Sequence, residues 1–270
     1  FSYVTPSDRK ISLRVAVPRG EEKGASSGEI VVVEITVQPD ANRPPVGRVI
    51  EVLGQATDPG MEIEIALRKH ALPFEFSEKA KAQAARIAPT VRKLDMAGRV
   101  DLRDMPLVTI DGETARDFDD AVWAEQSGRG FRLVVAIADV SHYVRPGDPL
   151  DVDARERGTS VYFPRRVIPM LPEKLSNGLC SLNPEVDRLS MVCDMLVTAE
   201  GELHAYQFFP AVINSHARLT YTEVATILGN TRGPEAQRRG DLVPHLLHLH
   251  EVYRADRKST RLNSSHTDIS

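Results

Sequence analysis

Thr109-Ile-Asp-Gly-Glu-Thr-Ala-Arg-Asp-Phe-Asp-Asp-Ala-Val122 sets Asp111, Asp117, Asp119 and Asp120 within ten residues, between the strand-like runs Leu107 to Ile110 and Ala121 to Ala124. Two like charges ~4 Å apart repel by roughly 4 kcal/mol at an effective dielectric of about 20. Carboxylates that converge therefore either take up protons or hold a cation. An all-oxygen donor set favours Mg²⁺ or Mn²⁺ over zinc. The same residues also suit an acidic surface loop in which Asp111-Gly112 is a plain turn, and the spacing alone leaves both readings open.

Downstream, Ser127-Gly-Arg-Gly130 turns the chain into the apolar run Phe131 to Val140, a hairpin leading to a buried strand. A second hairpin is expected from Leu189 to Thr198 and Leu203 to Ile213 around Glu200-Gly201. Between them, Pro172 to Leu182 suits a short helix ending near Gly178. Thr222 is placed to cap a helix through Leu228, and Val243 to Val252 makes another. Strands with interspersed helices give an α+β unit.

Upstream, Ile11 to Val17, Glu29 to Val37 and Gly47 to Leu53 are β-rich runs broken by Pro18-Arg-Gly20, Gln38-Pro-Asp40, Pro44-Pro45 and Asp58-Pro-Gly60. This spacing fits a small β-barrel or a small sandwich. Glu78 to Arg103 changes character: Lys79 to Arg86 is helix-prone and net basic, suited either to a solvated face or to a phosphate backbone.

The chain has 270 residues, 41% of them hydrophobic and 27% charged, enough for about two domains with cores of their own. It has no long uncharged apolar run and no basic-then-apolar start, so a soluble cytoplasmic protein with no membrane partner is expected. Net charge is -4, which neither marks nor excludes a nucleic-acid binder. Cys180 and Cys193 form no metal-type pair and read as reduced thiols. His245, His248 and His250 do not share one helical face and have no cysteine nearby, which argues against zinc. Phe118 and Trp123 read as core anchors beside the acidic motif.

The words Ile110 to Val122, Val135-Ala-Ile-Ala-Asp-Val140, Arg157 to Pro164, Ile168-Pro-Met-Leu-Pro172 and Leu175 to Pro184 resemble, in order, the signature blocks of the ribonuclease R/ribonuclease II (RNB) family. His216-Ala-Arg-Leu-Thr-Tyr-Thr222 continues the series and resembles the ribonuclease R branch. The resemblance covers Phe1 to about Arg257. It implies a partial cold-shock, OB-like barrel over residues 1–70, a linker with a basic helix over 71–103, and the first part of an α+β RNB catalytic domain over 104–257. Residues 258–270 depart from the family and are expected to be a disordered, non-native tail.

That resemblance implies a hydrolytic exoribonuclease that degrades single-stranded RNA from the 3′ end to nucleoside 5′-monophosphates with Mg²⁺, for which Mn²⁺ can substitute. It implies Asp111, Asp117 and Asp120 as cation ligands and Asp119 as the catalytically sensitive position. Tyr162 matches a family aromatic that stacks on bases, with a core tyrosine as the alternative. Arg116, Arg165 and Arg166 are expected either to touch RNA or to serve as structural or solvated cations. A monomer is expected, since RNA would thread into one chain. An RNA-binding module of the same fold without hydrolysis is the alternative function.

Overall fold

The computed structural model of the chain describes residues 1–264, and side-chain surroundings through Lys258. The chain forms two compact units, one of Phe1–Glu75 with Phe163–Arg166, the other of Phe76–Tyr162 with the residues from Val167 onward.

The smaller unit is built on β1 (Ser2–Val4), β2 (Val15–Val17), β3 (Glu29–Val37) and β4 (Val46–Gln55), in the sheet order β1-β2-β4-β3, followed by helix α1 (Met61–Lys69). The β3–β4 ladder shifts register between Ile30 and Val31, Val32 and Val33, and Ile35 and Val37. Such irregularities bend a strand and raise its twist, which is how a short sheet curls. Gly47 fits that curl, since a Cβ there would lie 2.6 Å from the Glu34 carbonyl oxygen. Only Val15–Val17 of the expected strand from Ile11 pairs. The cause is local: Asp8 accepts the Lys10 amide on its side chain and the Ile11 amide on its carbonyl, a turn that leaves Ile11 and Leu13 exposed. Arg68 on α1 bonds both Glu51 and Glu64 and lies 4.3 Å over the Phe74 ring.

The larger unit contains, in chain order, α2 (Glu78–Arg86), a 3₁₀ turn at Lys93–Met96, β5 (Val100–Leu102), β6 (Val108–Asp111), β7 (Asp120–Ser127), β8 (Gly130–Ala138), α3 (Val140–Tyr143) and α4 (Pro149–Arg157). The hairpin β9 (Val161–Phe163) and β10 (Arg166–Ile168) follows, its Phe163–Arg166 stretch counted with the smaller unit, then a π-helical turn at Lys174–Leu179, β11 (Asp187–Val197), β12 (Leu203–Asn214), β13 (Ala217–Thr220), α5 (Tyr221–Gly229), α6 (Pro234–Arg238) and α7 (Val243–Ser264). Seven strands form one sheet in the order β13-β6-β7-β8-β11-β12-β5. Its central hairpins are antiparallel, whereas β13 joins β6 and β5 joins β12 in parallel.

Alternation along β7 sorts side chains to two cores. Ala121 and Trp123 enter a cluster with Ala80 and Ala84 of α2, Leu150, Leu175 and Leu179. Val122 packs instead with Val108, Leu219, Ile227 and Leu246. Residues 71–103, read as a linker with a basic helix, thus place α2 in this unit's core, with Ser77 capping the helix and bonding Asp153. Phe118 and Trp123 are buried, as expected of core anchors.

The short helix expected to end near Gly178 is present, as a π-helical turn over Lys174–Leu179. Two local expectations are corrected. The cap of α5 is Thr220, whose side chain accepts the Glu223 amide, because Thr222 is already inside the helix. The last helix continues past Val252 to Ser264, through residues 258–264 of the expected disordered, non-native tail. No Gly or Pro interrupts Glu251 to Ser264, and Arg257 bonds Tyr253 one turn back. Residues 265–270 of that expected tail lie outside the described residues. No helix of the described residues is long and apolar enough to cross a membrane.

Candidate functional site

Asp111 ends β6 and Asp120 begins β7, so the sheet sets the two ends of the acidic segment and the loop between them places Asp117 and Asp119. Phe118 is the hinge of this arrangement. It is 4% exposed, and it stands between the half-buried Asp117 and the exposed Asp119.

The backbone around Phe118 is held from a distant part of the chain. Ser181 Oγ accepts the Phe118 amide at 3.0 Å and donates to the Arg116 carbonyl at 3.2 Å. The Leu182 amide donates to the Phe118 carbonyl, and the Ala138 amide to the Asp119 carbonyl, both at 2.8 Å. On the other side, Arg218 Nη2 donates to the carbonyls of Glu113 at 2.8 Å and Ala115 at 3.3 Å. Thr222 donates to the Glu113 carboxylate at 2.5 Å.

The carboxylates stand in one another's field. Burial raises the Asp111 carboxyl above the usual range, with Asp120 and Asp117 adding to the rise and Arg218 opposing it. Displacement of water by surrounding protein likewise raises Asp119, and the charges of Asp117, Asp120 and Asp111 push in the same direction. Asp111 Oδ2 is buried with no hydrogen-bond partner. Cys180, buried close by, is pushed up to about 12 by burial and by the charges of Asp119 and Asp139. Both cysteines are free thiols.

Tyr162 reaches this group from β9. Its hydroxyl donates to Asp117 Oδ2 at 2.7 Å, while the residue remains 64% exposed. That hydrogen bond, followed by burial, pushes the phenol up to about 12. Arg116 is exposed and makes no side-chain hydrogen bond or ion pair among the described residues. Arg165 and Arg166 fall in the stretch that belongs to the smaller unit. Arg166 is engaged by Glu64 at 2.5 Å, whereas Arg165 is exposed.

Among the described residues, no three His, Cys, Asp or Glu side chains stand close enough to hold a metal ion. The donor chemistry nevertheless fits a hard divalent cation: all oxygen, mutually repelling, with one buried oxygen lacking a partner. Asp117 is engaged by the Tyr162 hydroxyl. The three histidines of α7 part company: His245 meets the Ala124 carbonyl and the Trp123 ring, and His250 the Tyr253 ring. The reading of the sequence missed Ser181, Arg218 and Thr222 as supports of the loop. Their only signal was their place in motif words, since each contact closes a long stretch of chain.

Comparison with known proteins gives this arrangement its relatives. The RNB domain profile matches residues 99–269, and the cold shock domain profile residues 3–77. The chain is 53% identical to Ribonuclease R of Escherichia coli over 253 residues, 93% of this chain and 31% of that protein. It is 54% identical to Ribonuclease R of Vibrio cholerae over 256 residues, 94% of this chain and 31% of that protein. The chain therefore spans about a third of the length of these relatives. Among solved structures, Mycoplasma genitalium RNase R in complex with double-stranded RNA matches with a TM-score of 0.81 at 29% identity, over 90% of this chain and 43% of that one. The same enzyme with ribose-methylated single-stranded RNA matches with a TM-score of 0.75 at 32% identity, over 81% of this chain and 34% of that one. By its RNB match over most of its length, its cold-shock front and its shared fold, the chain belongs to the RNB family, with ribonuclease R as its kin.

Proposed function

We propose that this chain carries the catalytic carboxylates of a hydrolytic 3′-to-5′ exoribonuclease, acting on single-stranded RNA and releasing nucleoside 5′-monophosphates. The observation that carries the reading is the buried, partnerless Asp111 Oδ2 in the field of Asp117 and Asp120, within an RNB-family fold. Asp111, Asp117 and Asp120 would hold Mg²⁺, or Mn²⁺ in its place, and Asp119 occupies the catalytically sensitive position. Such a cation, when bound, neutralises phosphate charge and makes water a stronger nucleophile.

The remaining work falls to the chain's own groups. Burial, with the negative charges around it, raises the Asp119 carboxyl, which suits it to accept a proton from a water. Tyr162 offers an exposed ring to a base, and stacking of this kind is worth ~1–3 kcal/mol per base without regard to sequence. Arg116 is free to meet a phosphate, as is Arg165; Arg166 would first have to leave Glu64. The reading takes the protein to work as a monomer in the cytoplasm.

The test is digestion of a 5′-labelled single-stranded RNA by the intact protein. A ladder that shortens with Mg²⁺, stops with a chelator and is lost in Asp119→Asn supports the reading. Tight RNA binding with no shortening at any cation concentration replaces it with a binding module.

A further inference from the structure

The aspartate loop has little regular structure of its own. Between Gly112 and Asp119 its internal backbone bond is Ala115 N–H to the Gly112 carbonyl, at 3.2 Å. The placement of Asp117 relative to Asp111 must then come from groups outside the loop. Ser181 supplies this at the Arg116–Phe118 end. The Glu113–Ala115 end is held by β13 and the first turn of α5.

We propose that Arg218 is the positioning residue of this loop, an inference that rests on the metal-site reading above. β13 runs parallel to β6 with Arg218 opposite Thr109 and Thr220 opposite Asp111, so the strand that carries Arg218 is registered directly on the strand that ends in a ligand. One guanidinium nitrogen bridges two loop carbonyls, Glu113 and Ala115. The same guanidinium lies 4.9 Å from the Phe118 ring centre. Arg218 thereby joins three points of the loop, and Thr222 adds a fourth through the Glu113 carboxylate. Lysine cannot reproduce the whole arrangement, because a compact ammonium on a flexible stem can donate to a carbonyl but lacks the planar face that lies against the Phe118 ring while its nitrogen holds the loop.

Position and charge act in opposite directions here, which makes the role separable. A positive charge beside Asp111 disfavours a cation at that carboxylate. If charge were its contribution, Arg218→Gln would tighten cation binding. If Arg218 holds the loop, the same change weakens binding.

The experiment is Mn²⁺ titration read by electron paramagnetic resonance, with amide hydrogen exchange, on the whole chain and its Arg218→Gln, Arg218→Lys and Thr222→Val variants. Arg218→Gln is expected to weaken Mn²⁺ binding about tenfold and to speed exchange at the Ala115 and Phe118 amides about tenfold, while amides of the β11–β12 ladder stay within about twofold. Arg218→Lys is expected to rescue neither. Thr222→Val, which removes one anchor, is expected to speed Ala115 exchange by a smaller factor of about three. Tighter Mn²⁺ binding in Arg218→Gln, full rescue by lysine, or exchange that rises equally across the sheet would overturn the proposal. A parent chain that binds no Mn²⁺ sinks the metal-site reading instead, and the exchange contrast then decides alone whether Arg218 holds the loop.

Discussion

Tyr162 donates a hydrogen bond from its phenolic hydroxyl to Asp117 while its ring stays open to solvent. One side chain therefore touches the carboxylate group and the space where a nucleobase would stack. The two contacts use different atoms, and so they can be separated by substitution.

Tyr162→Phe keeps the ring and frees Asp117, so RNA affinity is expected to stay within about twofold. Tyr162→Ala removes the ring and is expected to cost ~1–3 kcal/mol of RNA binding. Fluorescence anisotropy with a short single-stranded RNA and no added cation checks both. Equal losses in the two variants would show that the hydroxyl, not the ring, carries the contact.

Ser181 is fully buried and serves two loop groups at once. Ser181→Ala leaves the Phe118 amide and the Arg116 carbonyl without it, at an expected cost of about 1–3 kcal/mol. For a unit of this size each kcal/mol corresponds to roughly 2–4 °C in Tm. Thermal unfolding followed by circular dichroism should show that drop, and an unchanged Tm would mean that water replaces the hydroxyl at no cost.

These supports mark where the sequence stops being legible. The acidic segment could be read because its aspartates are adjacent and Phe118 alternates with them. The hairpins around Ser127–Gly130 and Glu200–Gly201 could be read because turn residues sit between strand-like runs. Ser181 and Arg218 could not, since their partners lie 63 to 105 residues away and nothing local pairs a serine or an arginine with a backbone carbonyl. The parallel pairing of β13 with β6 is equally non-local. Thr220 and Thr222 were exchanged as helix cap because both stand near the helix start, and only the Glu113 contact tells them apart.

The larger unit also contains an ion network around two buried carboxylates, Asp95 and Asp139. Arg99 bonds Asp139 at 2.6 Å, Asp95 takes Arg92 at 2.7 Å, and His142 lies 3.4 Å from Asp95. In Asp139 the hydrogen bonds from Ser141 and Arg99 outweigh burial, which opposes them, and hold the carboxyl below its usual range. Arg92 chiefly does the same for Asp95. A carboxyl with a depressed folded pKa gives stability that is present above its unfolded pKa of about 3.9 and is lost as pH falls through the lower folded value. Urea unfolding should therefore show stability level from pH 7 to about 5 and falling below about 4. Asp139→Asn is expected to flatten that fall, and an identical slope in parent and variant would contradict the assignment.

Asp119 has the opposite sign, with burial first and then like charges raising its carboxyl. Without a divalent cation, Asp119→Asn relieves repulsion and is expected to raise Tm by about 1–3 °C. Millimolar Mg²⁺ should raise the Tm of the parent and leave the variant closer to its cation-free value. Differential scanning fluorimetry distinguishes these outcomes, and a variant less stable than the parent in chelator would show that the carboxylate is structural.

The direction in which RNA is shortened separates an exoribonuclease from its alternatives most directly. One single-stranded RNA, labelled at its 5′ end in one sample and its 3′ end in another, is given to the intact protein over a Mg²⁺ titration. The prediction is immediate release of the 3′ label as a mononucleotide, a descending ladder from the 5′ label, and neither in Asp119→Asn. Internal cuts, early release of the 5′ label, or undiminished activity in Asp119→Asn would contradict it.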